Sequence, residues 1–233
     1  MARIAKEAEQ AVKRREILAA AQRLVLTKGF DQMTIQDVLD ALGISKGAFY
    51  HYFASKSELL EGLIELMLAE GMQLLTPIVQ DPGLSAPEKL LRFFDASARW
   101  KAARKDYVLS FLRVWYADEN ALVRQKMQAA TIQRSAPLLA AIVRQGNQEG
   151  VFDMPLPDQA GEIVLSLLAN FGDAFLSLMY ASEQNQDALR RAVQAVAAYN
   201  LAMERLLGAR PGSLQLIGEE TLREWVGTLA NSE

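Results

Sequence analysis

Cysteine is absent from this chain of 233 residues, and histidine occurs once, as His51. Without cysteine the chain can form neither a disulfide framework nor a thiolate metal site. One histidine among scattered carboxylates forms no ligand cluster, so we expect no metal. No serine or carboxylate has a spacing that marks it as a catalytic partner of His51. These absences predict a protein that is not an enzyme and binds no cofactor.

Long uninterrupted apolar runs are also missing. The stretch 163–181 comes nearest, but Asn170 and Asp173 lie at its centre, and a central aspartate costs about 2.5–3.5 kcal/mol on membrane-insertion scales. We interpret this stretch as a helix buried in protein. No apolar region follows the basic start of the chain, so we expect no secretory signal. Together these features predict a cytoplasmic protein with no membrane contact.

Charge is distributed unevenly along the chain, although the net charge is only -3. Residues 1–60 carry nine Lys/Arg and seven Asp/Glu, whereas the remainder carries sixteen and twenty-one. Within residues 1–28 there are seven basic and three acidic residues. A basic end on an acidic protein can mark a nucleic-acid-binding region, but ordinary surface variation produces the same pattern.

Strand-type alternation is almost absent, and helical periodicity covers the chain. Half of the residues (51%) are hydrophobic, which is enough for a sizeable core. The predicted fold class is all-α: an N-terminal three-helix helix-turn-helix domain joined by a long helix to an all-helical ligand-binding and dimerisation domain. The predicted helices cover a segment ending at Lys28-Gly29 and then about 35–42, 46–52, 56–79, 86–104, 106–117, 119–148, 158–182, 186–207 and 214–230.

Capping residues stand before four of these helices. Thr34 precedes Asp37 by three residues, Ser45 precedes the third helix, and Ser55 precedes Glu58 by three residues. A hydroxyl at the N-cap accepts a backbone N–H of the first turn, and a carboxylate three residues later can bond back. The segment Ser85-Ala86-Pro87-Glu88 has the same form.

Residues 34–53, TIQDVLDALGISKGAFYHYF, form the pattern that bears most directly on function. Two short helices meet at Gly43, which allows a sharp backbone reversal. Val38, Leu39, Ile44 and Phe49 can pack this pair against the first helix. A recognition helix enters the major groove with one exposed side facing the DNA. The second helix would expose such a side, formed by Lys46, Gly47, Ala48, Tyr50 and His51. A helical hairpin without a DNA role has the same shape, so shape alone leaves both interpretations open.

The motif SKGAFYHYFASKSELL, with TIQDVLDALG and Lys28-Gly29-Phe30 before it, resembles the DNA-binding domain of the TetR family of regulators. The similarity covers about residues 12–60 without a gap. It implies a homodimer with one helix-turn-helix per subunit and a helical effector-binding domain. We therefore predict a DNA-binding domain over 11–71 and an effector-binding and dimerisation domain over 72–233. The predicted contacts to double-stranded operator DNA are Thr34, Gln36, Ser45, Lys46, Gly47, Ala48, Tyr50, His51 and Lys56.

Aromatic residues are concentrated in the predicted helices 86–104 and 106–117. An apolar, aromatic pocket with a few polar groups would suit an aromatic or lipophilic small-molecule effector, although ordinary core residues give the same pattern. Asn170 and Asp173 could orient such a ligand or pair across a dimer interface. The predicted pocket consists of Trp100, Tyr107, Phe111, Trp115, Asn170 and Asp173.

The last long helices carry more apolar residues than one helix pair in a monomer needs to bury. A monomer exposing them would present an apolar patch larger than soluble monomers usually tolerate. We predict a homodimer built from 158–182 and 186–207, with an interface of Leu165, Leu168, Phe175, Leu178, Val193, Val196, Tyr199 and Met203.

The sequence therefore predicts a ligand-responsive DNA-binding regulator, and we expect it to be a repressor. Two alternatives stay open at this point. One is a DNA-binding protein controlled by a protein partner without a ligand. The other is a helical carrier or enzyme with a vestigial DNA-binding domain, against which the intact Ser45-Lys46-Gly47 and Tyr50 argue.

Overall fold

The computed structural model describes residues 2–104, 120–180 and 186–216, without the side chains of 2–7, 123, 170–180 and 186–189. All regular secondary structure in these residues is helical, which confirms the predicted all-α class. The helices are α1 (Ala2–Gln32), α2 (Ile35–Leu42), α3 (Lys46–Tyr50), α4 (Lys56–Gln80), α5 (Ala86–Ala102), α6 (Ala121–Gln148), α7 (Pro157–Tyr180) and α8 (Gln186–Leu207).

Most predicted helix ends agree with the structure to within two residues, and one needs correction. The first regular helix is interrupted at Gly29, where it was predicted to end, because Gly29 has a non-helical φ of 78° and ψ of 159°. A further helical stretch beyond this kink carries α1 to Gln32. The helix predicted over 214–230 does not begin at Leu214, because residues 214–216 are not helical, and the rest of it lies outside the described residues. The helix predicted over 106–117 also lies outside them.

The contacts of the chain divide it into two compact units. Unit 1 comprises Met1–Glu70 and Lys101–Ala129, and unit 2 comprises Gly71–Trp100 and Ala130–Glu233. Unit 1 has a core in which α1, α2, α3 and the first half of α4 meet. Its fully buried large side chains include Ile17, Met33, Phe49, Phe53, Leu59, Leu60 and Leu63.

Unit 2 has its own core, to which α5, α6, α7, α8 and the second half of α4 contribute. Leu90, Leu139, Ile142, Met203 and Leu207 are its largest fully buried side chains. Within this unit α6 and α7 approach at backbone distance, because a Cβ on Gly161 would lie 2.0 Å from the carbonyl oxygen of Ala136. Glycine is required at 161 by this lack of space, since no positive φ is involved.

Helix α4 belongs to both units. Leu59, Leu60 and Leu63 are buried in the core of unit 1, whereas Leu75 and Val79 are buried in that of unit 2. Among the described residues, α4 is the helix whose length and apolar composition would allow a membrane span. One such helix is weak evidence for a membrane, and several of its apolar residues are buried in these two cores.

Candidate DNA-binding site

The start of α2 is fixed by a complete capping box. The backbone N–H of Asp37 donates to Oγ1 of Thr34 at 3.1 Å, and the N–H of Thr34 donates to Oδ2 of Asp37 at 2.7 Å. Lys28 of α1 lies 2.6 Å from the other carboxylate oxygen of Asp37. The bonds from Lys28 and Thr34 hold the pKa of Asp37 well below its usual range. One carboxylate therefore caps α2 and also links it to α1.

The turn between α2 and α3 depends on Gly43, which has φ 62° and ψ 34° in the left-handed region. Its N–H and that of Ile44 both donate to the carbonyl of Leu39, which closes the end of α2. No atom lies within 4 Å of the position a Cβ would take. The backbone conformation, rather than lack of space, is therefore what favours glycine here.

Helix α3 presents one buried and one exposed side. Ser45 caps it by accepting the N–H of Ala48 at 3.2 Å. Phe49 is fully buried, and its ring centroid lies 5.8 Å from that of Phe53. The opposite side is formed by residues predicted to contact DNA: Lys46, Gly47, Tyr50 and His51 are exposed and Ala48 is half-buried.

Lys46 and Tyr50 lie next to each other on the exposed side of α3. The Lys46 ammonium is 5.9 Å from the centre of the Tyr50 ring, and 42% of Tyr50 is exposed. This arrangement places a cation and a phenolic O–H, both donors to phosphate oxygens, on one accessible surface. The fixed turn and the buried Phe49 hold that surface in one orientation.

The remaining predicted contact residues have partners within the protein. The hydroxyl of Thr34 is engaged in the capping box, and Gln36 donates to Oδ1 of Asp40 at 2.7 Å from an exposed position. Lys56 donates to the carbonyl of Asp31 at 3.1 Å and lies 4.7 Å above the ring of Phe30. Its charge therefore holds the start of α4 to the end of α1, and its contact with DNA stays a prediction.

Two residues in the first half of α1 contact the segment after α3 and were not predicted from the sequence. The amide Nε2 of Gln10 lies 3.4 Å from Nε2 of His51, and the Arg14 guanidinium lies 4.5 Å from the centre of the Phe53 ring. Gln10 and Arg14 precede the buried Ile17 by seven and three residues, so helical spacing places them on the same side of α1 as Ile17. This spacing was the signal in the sequence that could have identified them. The contacts join the start of α1 to the residues that follow α3.

Of the residues predicted to line the effector pocket, Trp100 is the one whose side chain the structure describes. Trp100 is half-buried near the end of α5. Tyr107, Phe111 and Trp115 lie outside the described residues, as do the side chains of Asn170 and Asp173. A separate groove of about 330 Å³ lies along α8, where its lining includes Val193, Leu201 and Glu204.

The predicted dimer residues differ in exposure. Met203 and Val196 are 1% and 5% exposed, so their side chains belong to the interior of unit 2 and leave little surface for a second subunit. The half-buried members are Leu165, Leu168, Val193 and Tyr199, and the side chains of Phe175 and Leu178 lie outside the described residues. Leu201, at 44% exposure, and Ile163, at 38%, were not predicted.

Two family models match the chain. Residues 17–63 match the model of bacterial regulatory proteins of the tetR family, and residues 114–185 match a tetracyclin repressor-like C-terminal domain. Together the two matches cover just over half of the chain. The first contains all of α2 and α3 and thus the geometry described above.

Individual relatives agree with this assignment. The HTH-type transcriptional regulator YerO of Bacillus subtilis is 31% identical over 52% of this chain and 42% of its own length. The HTH-type transcriptional repressor NemR of Escherichia coli is 31% identical over 35% of this chain and 41% of its own length. The chain therefore matches about two fifths of the length of these relatives.

A crystal structure of a TetR-family transcriptional regulator from Pectobacterium atrosepticum has the same fold. It superposes with a TM-score of 0.59 over 86% of this chain and 96% of the other, at 20% sequence identity. The motif, the family models and the fold agree, and the chain belongs to the TetR family of bacterial regulatory proteins.

Proposed function

We propose that this chain is a transcriptional regulator that binds operator DNA through α3, and that it is not an enzyme. The observation that carries the proposal is the exposed surface of Lys46, Gly47, Tyr50 and His51 on a helix whose turn, cap and buried face are all fixed. Family membership supports the same role. A regulator of the chromosome acts in the cytoplasm, which is the location we propose.

The regulator acts as a repressor that a small molecule releases from DNA. The name of NemR, a repressor, supports this direction of control. The effector is aromatic or lipophilic and binds within residues 72–233, where Trp100 is the predicted pocket residue that the structure describes. Residues 11–71 form the DNA-binding domain, which a long helix, α4, joins to the effector domain.

A homodimer supplies two recognition helices. Helices α7 and α8 contact each other, and each carries an exposed large apolar residue, Ile163 and Leu201. Joining two subunits along these helices would cover such residues. Two linked half-site contacts bind DNA more tightly than one, which offsets the small number of cations on α3.

Control by the effector follows from the geometry that DNA imposes on a dimer. Half-sites read by two recognition helices lie one helical turn of DNA, about 34–36 Å, or a multiple of it apart. The dimer can adopt this separation of its recognition helices or a different one. An effector that binds the second state more tightly weakens DNA binding, and the size of the effect is set by its difference in affinity for the two states.

The DNA-binding proposal is tested with the double variant Lys46→Ala, Tyr50→Ala. The probe is the duplex that the unaltered chain selects from a random-sequence pool, and binding is followed by fluorescence anisotropy over a range of salt concentrations. We expect a large loss of affinity and a salt slope smaller by about one unit, since Lys46 contacts phosphate. Arg23→Ala is the control, because Arg23 is also an exposed cation but lies on α1 and is not part of the surface formed by α3. Full-strength binding by the double variant would contradict the assignment.

The dimer is tested by Leu201→Glu, with Leu156→Glu as the control. Leu156 is 65% exposed and precedes α7, so a charge there is solvated. We expect light scattering to give two chains of 25.8 kDa each for the unaltered protein and the control, and a smaller mass for Leu201→Glu. A single-chain mass for the unaltered protein at micromolar concentration would contradict the proposal.

A further inference from the structure

The third turn of α1, at Gln10, lies beside the end of α3, although it precedes residue 17, where the family match begins. Gln10 and His51 are separated by 41 positions in sequence, yet their side-chain Nε2 atoms are 3.4 Å apart. His51 follows α3 directly as its C-cap and is exposed. The surface proposed to face DNA therefore continues from α3 onto α1.

Lys13 is the cation next to this contact. It lies one turn after Gln10, its ammonium is 2.7 Å from Oε2 of Glu16, and 41% of its side chain is exposed. The bond to Glu16 and, to a smaller degree, the nearby Tyr52 raise its pKa. An exposed pair of this kind contributes little to stability, so a phosphate can draw the ammonium away from Glu16.

The side of α1 that carries Gln10 and Lys13 continues towards the start of the chain. Positions 3, 6, 10 and 13 fall within about 80° of one another around a helix that turns 100° per residue, and they hold Arg3, Lys6, Gln10 and Lys13. Along the axis they span about 15 Å at 1.5 Å per residue. Glu9 and Glu16 border this stripe on one side, and Arg14 on the other side is held by Phe53.

We propose that this face of α1 contacts the phosphate backbone of duplex DNA just outside the bases that α3 faces, with Lys13 as a phosphate contact and Gln10 holding His51 in place. The inference rests on the proposed function and extends its binding surface. Duplex DNA is the occupant that the position favours, because the stripe is basic and continuous with the exposed side of α3. Such a contact adds affinity without reading sequence.

The test compares Lys13→Gln with Arg15→Gln on the duplex that the unaltered chain selects. Arg15 is exposed, carries the same charge and lies two residues away, about 160° around the helix from Lys13. We expect Lys13→Gln to weaken binding by roughly three- to tenfold and to reduce the salt slope by about one unit. Arg15→Gln should change neither quantity. Thermal unfolding of both variants confirms that each is folded under the assay conditions.

Two further arms separate a DNA contact from a structural role. Glu16→Gln should tighten binding, because it removes a carboxylate that both repels phosphate and holds Lys13. Trimming the duplex to the selected bases should abolish the difference between Lys13→Gln and the unaltered chain. Equal behaviour of Lys13→Gln and Arg15→Gln, or a Lys13 effect that survives trimming, would overturn the inference. Failure of the unaltered chain to select any duplex would instead overturn the proposed function.

Discussion

The starts of α2 and α3 in unit 1 and the start of α5 in unit 2 differ in the sequence range of the contacts that fix them. Ser85 and Glu88 cap α5 locally, but α5 also depends on a distant residue. In unit 1, Thr34 and Asp37 cap α2 across three residues, and Ser45 caps α3 across three. In unit 2, the first N–H of α5, that of Ala86, donates to the carboxylate of Glu149, which is 63 residues away. Local contacts leave a pattern in the sequence, whereas distant ones leave none that a single sequence shows.

The polar cluster at the start of α5 illustrates the second kind of contact. Lys89 is 6% exposed and donates to Oε1 of Gln145 at 2.8 Å. Nε2 of Gln145 donates to the carbonyl of Leu84 at 2.9 Å and to Glu149 at 2.5 Å. The buried ammonium of Lys89 thus finds its partner on another helix, and the cluster joins the start of α5 to the end of α6.

The largest effect on the free energy of unfolding should come from removing a buried aromatic ring from the core of one unit at a time. Phe49→Ala in unit 1 and Phe93→Ala in unit 2 each remove a buried ring and should each lower the free energy of unfolding by about 3–5 kcal/mol. Only Phe49 lies on α3, so Phe49→Ala should abolish DNA binding while Phe93→Ala retains it at temperatures where the chain is folded. Denaturant titration and anisotropy measure the two quantities. Equal loss of DNA binding in both variants would remove the distinction between the units.

A distant polar contact is tested by Glu149→Ala. This change leaves the N–H of Ala86 and the amide of Gln145 without the carboxylate, which should cost about 1–3 kcal/mol in the free energy of unfolding. Glu162→Ala, at an exposed position of unit 2, is the control and should stay within about 0.5 kcal/mol of the parent. Equal stability of the two variants would mean that the cluster is not needed to hold α5.

A local cap is tested by Thr34→Ala. The loss of the hydroxyl that accepts the Asp37 N–H should cost about 1 kcal/mol. Thr34→Ser keeps the hydroxyl and should recover most of that loss. Denaturant titration gives both values, and a Thr34→Ser variant as unstable as Thr34→Ala would show that the methyl group, rather than the cap, matters.

The smallest effect concerns pH. Lys28 and Thr34 lower the pKa of Asp37 in the folded chain, so its ionised form stabilises the fold above the unfolded pKa, about 3.9, and that contribution is lost as pH falls through the folded pKa. The stability difference between the parent and Asp37→Asn should be constant from about pH 5 upwards and shrink at lower pH. Unfolding measured across this range checks it. A difference that grows as the pH falls would contradict the assigned direction.

Glu204 provides the matching case in unit 2. Its carboxylate accepts the backbone N–H groups of Leu214 at 2.9 Å and Gly212 at 3.0 Å, which lower its pKa. These bonds hold the segment after α8 against that helix. The sequence predicted a helix from Leu214, but Leu214 and Leu216 are buried in the core from a non-helical segment.

The same division explains what the sequence could predict. The ends of α2, the turn at Gly43 and the inward position of Phe49 follow from residues within a few positions of one another, so they were predictable. The interruption at Gly29 was predictable from the glycine itself, but the short helical stretch that follows it to Gln32 was not. The interior position of Met203 and the exposure of Leu201 depend on how α8 rotates against α7, which helical periodicity alone leaves undetermined.

The most direct test of the central claim, that α3 reads duplex DNA from a dimer, is selection of binding sites by the full chain from a random-sequence duplex pool. The account predicts enrichment of an inverted repeat whose half-site centres lie one helical turn, about 10–10.5 base pairs, or a multiple of it apart. The Lys46→Ala, Tyr50→Ala variant should enrich nothing. A pool that stays random with the unaltered chain, or the same repeat enriched by the double variant, would contradict it.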